Sequence, residues 1–181
     1  VKCWGNAQDI WLGDGNDKLT GRSLLPLTVS GISNVTDVVA GNYHSCALIS
    51  GGSVKCWGSN SNGTLGDGTT TMRTSPVSVS GLSGVSELAA GSDFTCARLS
   101  DGTAKCWGLA SNGRLGNNDT TNQLTPVSVS GLTGASQISA KNMSTCAVIS
   151  GNAVKCWGRN DKGQLGSTDT FDRLTPVQAG E

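Results

Sequence analysis

Val-Lys-Cys-Trp-Gly stands at residues 1–5, returns at 54–58 and 154–158, and recurs with Ala in first place at 104–108. Pro26, Pro76, Pro126 and Pro176 follow these strings at intervals of 50 residues. A period of this length marks a solenoid, propeller or array, in which one unit cannot bury its own apolar face and stacking supplies the core. Cutting at each Cys-Trp string gives units 1–53, 54–103, 104–153 and 154–181, the last incomplete, within a single segment spanning 1–181. Function is therefore sought on the stack.

Within one unit, PVSVSGL, VSELAAG, FTCARLS and AKCWG are short runs rich in β-branched or alternating apolar residues, bounded by Gly, Ser, Asn or Asp. No long helical period appears. Four strands per unit predict an all-β chain built as propeller blades of four antiparallel strands. The 13 basic and 13 acidic residues balance, which leaves no electrostatic footprint for a phosphate backbone, so no nucleic-acid partner is expected. No apolar run reaches the length needed to span a bilayer as a helix, and no cofactor-binding motif is present.

Cysteine spacing carries the most specific chemistry. Cys46 and Cys56, Cys96 and Cys106, and Cys146 and Cys156 are each ten apart, and Cys3 stands alone. In CALISGGSVKC the turn centres on Gly51, so Leu48 faces Val54, Ala47 faces Lys55, and Cys46 comes opposite Cys56. Opposed residues of an antiparallel pair lie within disulfide range, which predicts three cross-strand bridges. Buried free thiols are the alternative. Zinc fits less well, since CxxC is lacking and His44 is the single histidine; no metal site is expected. Bridges imply an oxidising compartment, extracellular or at the cell surface. Cys3 would find its partner ten residues upstream, which together with the incomplete last unit suggests a portion of a longer repeat protein. A self-assembling subunit is the rival, two copies supplying slightly more than seven units. On either reading the ends at Val1–Gly5 and Pro176–Ala179 are expected to expose strand edges on which something docks.

The run GNYHSCALISGGSVKCWGSNSNGTLGDGTT, with the related turns SNGRLGNN at 111–118 and NDKGQLGS at 160–167, closely resembles the repeat of the regulator of chromosome condensation family, over essentially the whole chain. The resemblance implies a seven-bladed propeller with about 50 residues per blade, of which this chain would be a part of about 3.6 repeats. It implies a range of functions: nucleotide exchange factors, ubiquitin ligase accessory domains, a plant ultraviolet photoreceptor and secreted β-lactamase inhibitors. The paired-Cys variant looks like the extracellular bacterial branch.

The first unit departs from the pattern. DIWLGDGNDKLTGRSLLP replaces the regular turn, with Ile10 in the slot of Gly63, Gly113 and Gly163, and Trp11 in the slot of Thr64, Arg114 and Gln164. Such variation suggests a solvent-facing position, with packing as the alternative. A second variable slot holds Arg22, Met72, Asn122 and Asp172, beside Phe171. Trp11, Arg22, Met72, Arg114 and Phe171 are thus the candidate contact residues. Lys141 replaces Gly41 and Gly91, which points to an altered loop.

His44 is replaced by Phe94 and Ser144 in the other units, as a structural position would be, and no catalytic residue is proposed. The Asp and Asn of LGDGTTT and LGNNDTT do not follow a calcium-loop pattern. NVT, NGT, NDT and NMS place glycosylation acceptors at Asn34, Asn62, Asn118 and Asn142, relevant only in a eukaryotic secretory pathway. The expectation is a non-enzymatic protein-binding or scaffold module. Alternatives are a secreted hydrolase inhibitor, a structural subunit assembling through its end blades and, ranked lowest, a guanine nucleotide exchange factor.

Overall fold

The computed structural model describes residues 1–6, 12–16 and 22–180; Ile10 and Trp11 lie outside them. The described residues form fourteen strands in four antiparallel sheets. A two-stranded sheet pairs β1 (Lys2–Asn6) with β2 (Arg22–Thr28). Three four-stranded meanders follow. The first comprises β3 (Val35–Ala40), β4 (His44–Ile49), β5 (Ser53–Gly58) and β6 (Arg73–Ser78). The second comprises β7 (Val85–Ala90), β8 (Phe94–Leu99), β9 (Ala104–Gly108) and β10 (Gln123–Ser128). The third comprises β11 (Gln137–Lys141), β12 (Ser144–Val148), β13 (Val154–Gly158) and β14 (Arg173–Gln178). The only helical pieces described are three-residue turns at Ser111–Gly113 and Ser150–Asn152.

The sheets meet along their first strands, β3 against β7 and β7 against β11. Twisted sheets that converge at one strand and splay outward are propeller blades, and the set stays open, so this is a partial propeller. β4, β5, β8 and β9 lie in the middle of their sheets with a neighbouring blade against them. They are therefore largely buried on both faces, and clean polar–apolar alternation is lost: β8 reads Phe94, Thr95, Cys96 and Ala97 all buried. Each junction has its own apolar cluster. Trp57 with Ala47 and Val29 fills the first, Trp107 with Leu65 and Leu88 the second, and Trp157 with Leu115 and Ile138 the third.

The hairpin register is as read from the sequence: Leu48 opposes Val54, Ala47 opposes Lys55 and Cys46 opposes Cys56. Disulfides join Cys46–Cys56, Cys96–Cys106 and Cys146–Cys156, each with Cα atoms 4.1 Å apart. Cys3 is free and pairs in register with Leu27, as Cys56 does with Val77. β1 and β2 thus correspond to the outer two strands of a blade.

Two expectations are corrected. The cut at each Cys-Trp string passes between the second and third strands of a sheet, so a sequence unit contributes half of one blade and half of the next. Counted in blades, the C-terminal sheet has all four strands. The edge of β14 is therefore an ordinary outer edge like those of β6 and β10, and does not result from an incomplete blade.

Lys141 also has a local reason. A Cβ on Gly41 would collide with the His44 ring, and one on Gly91 with the Phe94 ring. Ser144 puts no ring there, so Lys141 is accommodated and opposes Ser144 at the end of β11. Three of the four glycosylation-type asparagines, Asn34, Asn118 and Asn142, have φ of 53°, 64° and 51°, the left-handed region that Asn tolerates.

Candidate functional site

Two ends of the blades differ in construction. The β4–β5, β8–β9 and β12–β13 hairpins and the inter-blade linkers occupy one end. The other carries the β3–β4-type turns and the long loops between the third and fourth strands, brought together by Ser59 N–H donating to the Tyr43 carbonyl at 2.8 Å. The variable sequence slots fall on these loops.

The loops are held from below by buried polar groups. Asn60 and Asn160, both fully buried, accept the Leu65 and Leu165 N–H groups on Oδ1 at 2.9 Å. Through Nδ2, Asn60 donates to the Thr69 and Thr71 carbonyls at 3.0 Å, and Asn160 donates to the Asp169 carbonyl at 2.8 Å. One amide thus satisfies both sides of a loop that has no strand partner. Asp67 reinforces the first loop by accepting from Thr69 Oγ1 at 2.8 Å and from Arg73 Nη2 at 2.8 Å. Burial pushes its carboxyl up, but hydrogen bonds from Thr69, Arg73 and Asn60 outweigh this and hold it below the ordinary carboxylate range.

The sequence-predicted contact residues separate on this frame. Trp11 lies outside the described residues. Arg114 is 1% exposed and Thr64 4% exposed, which overturns the solvent-facing reading of their slot. The Arg114 guanidinium lies over the Phe94 ring, 5.8 Å from its centroid, and donates to the Ser111 carbonyl at 2.9 Å; burial lowers its pKa. The backbone of this slot is what the fold uses. The Thr64 carbonyl accepts Trp107 Nε1–H at 2.9 Å from the next blade, and the Arg114 carbonyl accepts Trp157 Nε1–H at 3.1 Å.

The second slot mixes roles. Asn122 donates to Asn62 Oδ1 at 3.2 Å and Asp172 accepts from Asn112 Nδ2 at 2.7 Å, each tying one blade's loop to its neighbour's. Arg22 is exposed. Met72 is 45% exposed, and Phe171 is 70% exposed. Tyr43, 46% exposed on a β3–β4 turn of the same face, was missed by sequence reading, because one aromatic in a turn carries no periodic signal.

His44 is sealed between blades at 2% exposure, its Nε2 2.9 Å from Thr95 Oγ1 of the next blade, and Nδ1 has no hydrogen-bond partner. It cannot reach a substrate from there. Burial lowers its pKa from the ordinary 6.5 to about 4, so the folded state holds it neutral while the unfolded chain protonates readily. Stability is then unaffected above pH 6.5 and is lost as pH falls toward 4, by up to about 3 kcal/mol. Denaturant midpoints measured across that window should fall more for the wild type than for His44→Phe, which copies the residue found at Phe94. Parallel pH profiles would refute this. Among the described residues no cluster of three His, Cys, Asp or Glu side chains could hold a metal ion, and no helix is long and apolar enough to cross a membrane.

Solved structures show the same fold. Human WBSCR16 superposes with a TM-score of 0.83 at 22% identity, over 96% of this chain and 46% of that one. Yeast RCC1 (Prp20), solved with Kap60 bound, gives 0.81 at 19% identity over 98% and 44%. The ectodomain of the receptor kinase CR4 from Physcomitrella patens gives 0.51 at 21% identity over 86% and 38%. The chain spans less than half the length of each. The family model of the regulator of chromosome condensation (RCC1) repeat matches residues 3–48, 51–98 and 101–148, and a second model of that repeat matches 35–64 and 85–114. With most of its length so matched, and with the blades, loops and paired cysteines in register, the chain belongs to the regulator of chromosome condensation repeat family.

Proposed function

We propose that the chain is a non-enzymatic protein-binding module whose contact surface is the long-loop face, working outside the cell or at its surface. The observation that carries this reading is the contrast on one face between buried, hydrogen-bonded loop bases and exposed apolar tips. Asn60 and Asn160 fix the loops, while Tyr43, Met72 and Phe171 stand in solvent above them. A rigid base presenting exposed aromatic and Met side chains lowers the entropy cost of association and supplies the residue types enriched at interfaces. Three disulfides support an oxidising compartment, and yeast RCC1 (Prp20), whose structure shares this fold, has been solved with Kap60 bound to it.

Cross-linking capture with the wild type and with a Met72→Ala/Phe171→Ala variant tests the reading. Partners enriched by the wild type should fall at least tenfold with the variant, at an unchanged melting temperature. Equal capture by both would overturn the assignment of this face.

A further inference from the structure

The long loop of each four-stranded blade follows one plan, and the middle blade departs from it at the anchor. Residues 60, 110 and 160 are Asn, Ala and Asn, and Ala110 is as fully buried as the two asparagines. The backbone around it keeps the common form. Gly113 N–H donates to the Ala110 carbonyl at 3.1 Å, as Gly63 and Gly163 donate to the Asn60 and Asn160 carbonyls at 2.9 Å. Asn118 N–H donates to the Leu174 carbonyl of the next blade at 2.9 Å, as Gly68 does to that of Leu124 at 3.0 Å.

Hydrogen bonding inside the loop does differ. In the first and third of these blades the Asn Oδ1 accepts from Leu65 or Leu165 N–H. Its Nδ2 donates to a side-chain oxygen, Asp67 Oδ1 at 3.1 Å or Ser167 Oγ at 2.9 Å, and to the Thr69 or Asp169 carbonyl. In the middle blade a methyl group stands where the amide would be. Asn117 Oδ1, the counterpart of the Asp67 and Ser167 oxygens, is buried with no hydrogen-bond partner. Among the described residues nothing accepts from Leu115 N–H or donates to the Asp119 carbonyl, and Leu115 is fully buried. The Thr121 carbonyl is compensated, accepting from Gln123 Nε2 at 2.9 Å.

One donor and two acceptors thus surround the place that a single amide reaches in the other two loops. The N–H would repel a cation there and the two oxygens would repel an anion, whereas a small neutral molecule that both donates and accepts suits all three. We infer that one internal water molecule occupies this position, accepting from Leu115 N–H and donating to Asn117 Oδ1 and to the Asp119 carbonyl. About three partners is the usual number for a buried water, and leaving such groups unpaired is costlier than immobilising it. The site lies beneath the loop face of the middle blade, covered by a neighbour on each side, and stands whether or not that face binds a partner.

Water-selective NOE spectroscopy on the isotope-labelled protein reads this out. The Leu115 amide proton should show a cross-peak to water, and those of Leu65 and Leu165, bonded to asparagine, should not. Ala110→Asn supplies the amide that the other two loops carry. It should erase the Leu115 cross-peak at a melting temperature no lower than that of the wild type. A wild type without a cross-peak at Leu115 overturns the inference. So does a cross-peak that persists in Ala110→Asn, which would arise from a nearby hydroxyl, and so does a variant that melts below the wild type, because the amide would then have found no room.

Discussion

Reduction of the three disulfides is expected to unfold the protein, and to proceed slowly until denaturant opens the sheets. Each bridge closes a ten-residue separation, worth about 2.7 kcal/mol by the chain-entropy estimate. Together they contribute about 8 kcal/mol, against a typical folding free energy of roughly 5–15 kcal/mol. Four of the six bridged cysteines, Cys46, Cys56, Cys96 and Cys106, are fully buried, whereas Cys146 is only partly covered. Alkylation mapping under native conditions should find Cys146 and Cys156 labelled first, with circular dichroism lost as the remaining pairs follow. Rapid labelling of all six in native buffer without loss of structure would show that the bridges do not hold the blades.

Trp107→Ala should be the most damaging single change, at about 4–5 kcal/mol, because it empties a large volume between two blades and removes the donor to the Thr64 carbonyl. The repeat-equivalent Trp4→Ala, at a position 63% exposed, should cost less than about 1 kcal/mol in dilute solution. Urea unfolding of the two variants tests both values at once. Equal costs would mean that burial of the indole against the Leu65–Gly66 turn is not what stabilises the junction.

The same contrast explains what could be read in advance. Strand pairing and the disulfides were legible because a ten-residue spacing around Gly51 admits one hairpin register that faces Cys to Cys. Blade borders were not, since a periodic string has no marked origin and the Cys-Trp motif falls inside a sheet. Arg114 misled for a different reason. Its side chain varies between units because each unit fills a different space, while the conformation that presents its carbonyl to Trp157 stays the same, and carbonyls leave no trace in sequence. Lys141 became intelligible only beside Ser144, since whether position 141 must be glycine depends on the ring three residues later. Met72 and Phe171 were singled out from variation between units and are exposed, whereas Tyr43 came to notice only from its exposure.

The stagger between matched repeats and sheets bears on how such a chain can change length. The repeat at residues 51–98 holds the outer strands of one blade and the inner strands of the next, with Cys56 near its start and Cys96 near its end. Copying that stretch in tandem would add no free-standing blade. Its leading half would be stitched, by hydrogen bonds and a disulfide, to whatever inner pair came before, and its trailing half would await the next outer pair. Insertion or loss of whole repeats therefore leaves every internal sheet complete and every internal cysteine matched, and confines all mismatch to the two ends. The couplings are interchangeable, so the number of blades can vary while the joint between them need not be reinvented.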